Sequence, residues 1–437
     1  MMTIFDLKVK SIAILLIFYI VQICPVQSFV SSKRIVSRGG QTEHYMNKGF
    51  GKKAEKTDKE LAKDFKAAVL KLQNEGVPVL ACDADQAQSF SAAIWTTLAE
   101  ISENDEEQKM CMVFEKIPLS GLASFCEDFS ILKMQFRLIE QLPELERLSV
   151  SFLEKGVGPA LVIEAAPRTE EEILVKKARA AAEGSYIEAN AEAAMRSFVD
   201  RVVVGESTCP FTKNNAIAGV GLEKKGIKPG PVGYRFGHSS DICATLSSFW
   251  TSVCELMGTP EEELSTILLC LPAVAPGSDT TSHARFAAVV EVVGRYLFLF
   301  KGAEIFGLVH FHPAYDRSMI EPKNKPAFGH LPPRNWLRPI MEKNGDVNEV
   351  KVLTDEELEL SDYQRRAPYT MINILRNSQV NAAAGPNSIV DLPLEDGSLT
   401  KASGILTYSR NTIRMTKVGK EILQAGLETE KKSAYAL

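Results

Sequence analysis

Histidine, cysteine and arginine recur in this 437-residue chain at spacings where chemistry is possible. His310 and His312 stand two apart in the apolar run from Ile305 to Tyr315. That run reads as a buried strand ending at His310, His312 and Pro313, so the two imidazoles share a face. Such a pair chelates zinc or iron when a carboxylate, a thiolate or a third histidine completes the set, and Asp316 and Cys209 are the candidates to complete it. The alternative is one histidine at the solvent edge and one hydrogen-bonded in the core. Cys209 opens Cys209-Pro210-Phe211-Thr212-Lys213. A thiol serves as a nucleophile when a cation or a helix N-terminus lowers its pKa; Lys213 is close in sequence, and a strand-end histidine could act as base. The alternative is a buried thiol packing like a small apolar group. Arg365 and Arg366 precede Pro368, which reads as the first position of a helix reaching to about Val380. Cations at a helix N-terminus oppose its dipole, so an anion there relieves both: Asp362 or Glu359, or a carboxylate or phosphate ligand. Asp83 and Asp85 sit where a carboxylate is more often a helix cap than a catalytic acid.

The elements that must position these residues follow from apolar periodicity. Residues 58–165 read as a small α/β unit: helices over 58–74, 84–101 and 119–142, with strands near 77–81, 109–114, 148–152 and 159–164. A charged helical region spans 168–204. Its second part, Asn190 to Val203, leads into a domain over 168–385. There a strand at 232–236, a helix at 241–257 capped by Ser239 or Ser240, a strand at 264–271, a helix at 284–300 and a strand at 305–311 alternate. That order implies parallel neighbours joined by right-handed crossovers. The fold class is therefore α/β, with a mainly parallel sheet flanked by helices and a smaller N-terminal α/β unit. In a parallel sheet, ligands gather beyond the carboxyl ends of the strands, where His238, Asp279, His283, His310, His312 and Asp316 are expected. A polar, Pro-rich stretch from 316 to 362 is an insertion, and 386–437 is a tail with a turn at Asp396-Gly397 and a helix over 405–424.

Composition bounds the partners. Hydrophobic residues make up 45% and charged residues 24%, ordinary for a soluble globular protein. The first 57 residues hold nine Lys/Arg and three Asp/Glu, so the remainder of this −5 chain carries −11. That excess works against nucleic acid and anionic membrane surfaces; the small anionic molecule considered as a partner rests on Arg365 and Arg366 instead. Lys8 and Lys10, an apolar run from Ile12 to Ile23 and a cleavage site at Val26-Gln27-Ser28 make 1–28 a secretory signal, too short for a stable membrane span. Residues 29–57 are basic and acid-poor, like a transit peptide opening on Phe29. Together they resemble the two-part plastid leader of algae with complex plastids; the alternative is a secreted protein. Seven cysteines outside the leader, unclustered and without a CxxC pair, argue against a disulfide framework. The Gly-rich stretch before Tyr234 precedes a strand instead of opening a helix, so it matches no phosphate-binding fingerprint, and no cofactor can be named.

Three motifs in order carry a resemblance: Cys209-Pro210-Phe211-Thr212-Lys213, Phe311-His312-Pro313-Ala314-Tyr315 and Arg366-Ala367-Pro368-Tyr369. Together they resemble domain-of-unknown-function family 1415, a group of short bacterial proteins with no assigned activity. That family's pattern is Cys-Pro-Phe after an opening helix, Phe-His-Pro after a strand, and Arg-Ser-Pro-Tyr-Pro opening a late helix. The likeness extends to Leu375-Arg376 and covers roughly residues 190–381. It implies that Cys209, His312, Arg366 and Tyr369 are the residues that matter, and it lowers the metal reading because His310 lies outside the pattern. This chain departs by its N-terminal unit, by the insertion after His312, and by Ala367 and Thr370 in place of Ser and Pro.

The leading reading is thus an enzyme of unnamed reaction. Cys209 would be nucleophile or redox thiol and His312 general base or orienting group, while Arg366, with Arg365, Lys213 and Tyr369, would bind an anionic substrate. A metal site at His310, His312 and Asp316 and a non-catalytic plastid binding protein are the rivals.

Overall fold

The computed structural model describes residues 58–116, 147–154, 157–182, 186–274, 277, 279–299, 305–317, 331–343, 353–384, 390–393, 399–402 and 405–435. The leader, the expected helix over 119–142 and the Asp396-Gly397 turn lie outside them. The described residues fall in one compact unit, 58–437.

The chain opens with α1 (Asp58–Asn74), β1 (Val79–Cys82), α2 (Ala87–Glu103), β2 (Gln108–Phe114), β3 (Leu148–Glu154) and β4 (Val157–Ala165). These strands form a sheet in the order β1-β2-β4-β3, with β1 parallel to β2 and the other pairs antiparallel. Then come α3 (Glu170–Ala182) and α4 (Glu188–Phe198), which passes into a π-helical turn, Val199–Gly205. The second sheet draws on β5 (Ile217–Ala218), β6 (Gly230–Phe236), β7 (Thr266–Cys270), β8 (Phe306–Phe311) and β9 (Met371–Arg376), in the order β5-β6-β7-β9-β8. Its helices are α5 (Ile242–Gly258) and α6 (Thr280–Leu299), and α7 (Arg334–Lys343) and α8 (Asp355–Glu359) lie in the insertion. After β9 follow α9 (Asn377–Ala384), the hairpin β10 (Val390–Pro393) and β11 (Leu399–Ala402), then α10 (Ile405–Val418) and α11 (Lys420–Ala434).

The expectation of a mainly parallel sheet is overturned. β6 pairs parallel with β7, but β9 sits between β7 and β8 and runs antiparallel to both. The stretch read as a helix from Pro368 is this strand. Ile372 and Ile374 are buried on one face and Met371 on the other, a two-residue period that β-branched side chains favour. β6, β7 and β8 still point the same way, so their carboxyl ends still define one edge. The expected cap of α5 also moves: Asp241 accepts hydrogen bonds from the backbone of Cys243 (2.8 Å) and Ala244 (3.1 Å), while Ser239 instead takes the Asp241 N–H at 3.0 Å. The expected final helix divides at Gly419, whose φ of 86° is a left-handed stop that side chains disfavour.

One core runs through both sheets. Phe90, Trp95 and Leu98 of α2 belong to the same buried cluster as Phe249, Trp250 and Val253 of α5, together with Ile267, Leu308 and Ile374 of the second sheet and Phe286 and Val290 of α6. Burying a side chain of this size stabilises by about 1.5–3 kcal/mol each. The opposite face of the second sheet is closed by α4: Phe198 and Val202 pack with Leu268, Cys270, Phe311, Tyr369 and Met371. α11 is fixed there by the buried pair of Arg201 with Glu430, at 2.8 and 2.7 Å.

Candidate functional site at the end of β8

Alternation along β8 sends Phe306, Leu308 and His310 toward α6 and Phe311 toward α4. His310 and His312 therefore share a face, as their spacing requires. α6 begins beside them, capped by Asp279, whose carboxylate accepts from the Ser282 N–H at 2.8 Å. Its first turn brings His283 against His312 and Tyr315, each with ring centroids 5.2 Å apart. Phe286 lies 6.0 Å from both His310 and His312. Three of the four histidines expected at this edge meet. The fourth, His238, is exposed elsewhere and bonds Tyr186 at 3.0 Å.

His312 is wholly buried and occupied at both nitrogens. Nδ1 accepts from the Ala314 N–H at 3.0 Å, so the proton of the neutral ring is on Nε2, 3.1 Å from Ser282 Oγ. The Ser282 hydroxyl passes its own hydrogen to the Gly277 carbonyl at 2.9 Å. A base needs a lone pair, and this ring's is committed to the backbone. His283 is also buried; its Nδ1 accepts from the Asp316 N–H at 3.4 Å and its Nε2 has no partner among the described residues. Burial depresses its pKa to about 4, outweighing the pull of Asp316 and Asp362 in the other direction. Among the described residues, no group of three or more His, Cys, Asp or Glu side chains is placed to hold a metal ion.

The insertion is drawn onto this edge by charge. Arg317, buried, gives Nε to Asp362 (2.5 Å) and Nη1 to the Pro332 carbonyl (2.6 Å), and also bonds Ser361. Arg334 adds a second contact to Asp362 at 2.9 Å and one to Asp316 at 3.2 Å. Asp316 is thus paired with an arginine. The Tyr315 hydroxyl takes the Leu331 N–H at 3.0 Å, which closes the roof.

Arg365 and Arg366 do not open a helix; they enter β9 after a 3-10 turn, so the dipole argument for their anion falls away. Their placement is informative for another reason. The Arg366 guanidinium covers the Tyr363 ring at 4.4 Å and gives Nε to the Tyr315 carbonyl at 3.0 Å. Arg365 lies over the Phe311 ring at 5.1 Å, gives Nη2 to the Tyr408 hydroxyl at 3.3 Å, and has no partner for Nη1 among the described residues. Tyr369 is a strut: its buried hydroxyl donates to the Ala191 carbonyl of α4 at 2.8 Å, and burial raises its pKa well above 10. Lys213 is exposed.

Cys209 belongs to the α4 side of the sheet. It follows the π-helical turn, a form that recurs at functional sites, and Ser207, whose φ of 50° is unusual without glycine. The half-buried thiol receives the Thr212 hydroxyl at 3.3 Å. The segment approaches Arg365. Asn411 of α10 gives one amide hydrogen to the Thr208 carbonyl (2.8 Å) and the other to Gln364 Oε1 (2.7 Å). Tyr408, Asn411 and Gln364 were not singled out by sequence. The signal available was a run of polar residues, Ser409, Asn411 and Thr412, all buried on α10.

Residues 190–338 match the family described as Protein of unknown function (DUF1415). The match includes Cys209 and His312 and stops before Arg366 and Tyr369, whereas the motif resemblance ran to about 381. This family brings no reaction with it. No curated protein and no solved structure matches the chain.

Proposed function

We propose that the protein binds a small anionic molecule at the end of β8, with the Arg365 guanidinium as its charge partner. One observation carries this. Arg365 is 5% exposed, yet its partners among the described residues are a phenol and an aromatic ring, neither of which is charged. Arginine stays protonated, and withdrawing such a cation from water without a counter-ion costs several kcal/mol. Other buried or half-buried arginines are answered by carboxylates, as Arg317 is by Asp362, Arg201 by Glu430 and Arg235 by Glu255, or by several backbone carbonyls, as Arg147 and Arg376 are. An added anion at Arg365 supplies what the fold omits. Thermal unfolding with sodium sulfate and sodium acetate against matched chloride tests this. The parent should be stabilised and Arg365→Gln should not; equal responses from both would refute the reading.

A second reading, an enzyme acting on that anion through Cys209, is favoured by the Thr208–Asn411–Gln364 link that places the thiol's segment beside Arg365. In it, His312 orients Ser282 and is not the base. The leader's composition supports a plastid address for the mature protein, tested by imaging residues 1–57 fused to a fluorescent protein in an alga with complex plastids. Among the described residues no helix is long and apolar enough to cross a membrane.

A further inference from the structure

We infer that the anion at Arg365 carries a hydrogen-bond donor next to its charge, as a small 2-hydroxy or 2-amino carboxylate does. The inference rests on the anion reading above and comes from a different atom. Asn411 is 1% exposed, and both of its amide hydrogens are used, on the Thr208 carbonyl and on Gln364 Oε1. Turning the amide over would press its oxygen against those two acceptors, so its orientation is set by its partners. Its Oδ1 then has no partner among the described residues. A buried acceptor left without a donor is uncommon and asks for an explanation.

The two anomalies are neighbours. Tyr408 and Asn411 are three residues apart on α10, hence on one face of the helix. Tyr408 holds Arg365 Nη2, and Asn411 holds Gln364, the residue preceding Arg365. Arg365 Nη1 asks for an acceptor with charge, and Asn411 Oδ1 asks for a donor. Acetate or sulfate answers the first request only. A carboxylate with a hydroxyl or ammonium on the adjacent carbon answers both from one small molecule.

Three acids of one size separate the terms: propionate with no donor, lactate with a hydroxyl, alanine with an ammonium. Calorimetric titration of the protein with each should show lactate or alanine binding about tenfold tighter than propionate, the scale of one well-made hydrogen bond to a buried group. The preferred member of the two identifies the donor. Asn411→Leu should erase the advantage, so that lactate, alanine and propionate bind alike, and if that variant does not fold, the ratio on the parent decides alone. Equal affinity for all three would overturn the inference and leave the anion reading standing. No binding of any of them, with no response to sulfate or acetate, would instead end the anion reading and the inference with it.

Discussion

Replacing Asp362 by asparagine should strip the insertion of its attachment to the sheet edge at a cost that can be worked out in advance. The Asp362 carboxylate is wholly buried and accepts from the Arg317 N–H (3.3 Å), Arg317 Nε (2.5 Å) and Arg334 Nη2 (2.9 Å). Asparagine keeps the volume and loses the charge. Arg317, 1% exposed, then retains the Pro332 carbonyl and Ser361 but no anion. Arg334 is better placed, since Asp316 (3.2 Å) and Glu359 (3.6 Å) remain to it. Stranding one member of a buried ion pair costs about 3–5 kcal/mol. With one of the two arginines still paired, we expect the lower end, about 3 kcal/mol. Urea unfolding followed by tryptophan fluorescence reads this directly, because Trp336 lies buried in α7 within the same insertion. Asp355→Asn, which removes an exposed contact to Arg338, is the control and should leave the midpoint unchanged. The double variant Arg317→Met, Asp362→Leu should recover part of the loss, as fewer charges are left stranded. A loss under about 1 kcal/mol for Asp362→Asn would refute the view that this pair holds the insertion down.

Other outcomes follow from the same geometry. His283 titrates near 4 when folded, below its ordinary 6.5, so its share of stability is complete above pH 6.5 and is lost as pH falls toward 4. That loss amounts to at most about 3 kcal/mol. His283→Asn should flatten the acid limb of urea midpoints measured between pH 7.5 and 4.5, and an unchanged slope would count against it. Burial pushes Cys82 up to about 11 and Cys270 up to about 12, so at pH 8 iodoacetamide should modify Cys209 well before either, read by peptide mass mapping. Thr212→Val should slow Cys209 alkylation several-fold by removing the hydroxyl donated to sulfur, and an unchanged rate would show that contact to be inert.

Local elements were readable where a period was strong. α1 matches its expected bounds, and apolar spacing marked the buried side of α5, with Ile242, Leu246, Phe249, Trp250 and Val253 inward. Strand order was not readable. The direction of β6, β7 and β8 follows from the intervening helices, but nothing local says that a later segment will slide between β7 and β8. That segment misled because Pro368 is a good helix opener, although Ile372 and Ile374 already carried the strand period. The same limit governs the site. His283, His310 and His312 converge because two are on one strand and the third starts the next helix outward. Where Cys209 falls relative to them was not readable, since the position a loop reaches is a long-range outcome of packing. Arg365 was named with a helix dipole as the reason. Its burial beneath Tyr408 and Asn411 depends on a helix that follows some forty residues later in sequence, in what reads as a tail.

The central claim is that Arg365 is a cation kept for a ligand at the expense of the empty fold. Its most direct test is the stability of Arg365→Met without and with added anion, by urea unfolding in a buffer poor in small anions and again with sodium lactate. Met fills similar space over Phe311 and leaves no charge to desolvate. The account predicts that the variant is at least as stable as the parent without anion, by up to about 1–4 kcal/mol, and gains nothing from lactate, while the parent gains. A variant clearly less stable than the parent in the absence of anion, or one that lactate stabilises equally, would contradict it.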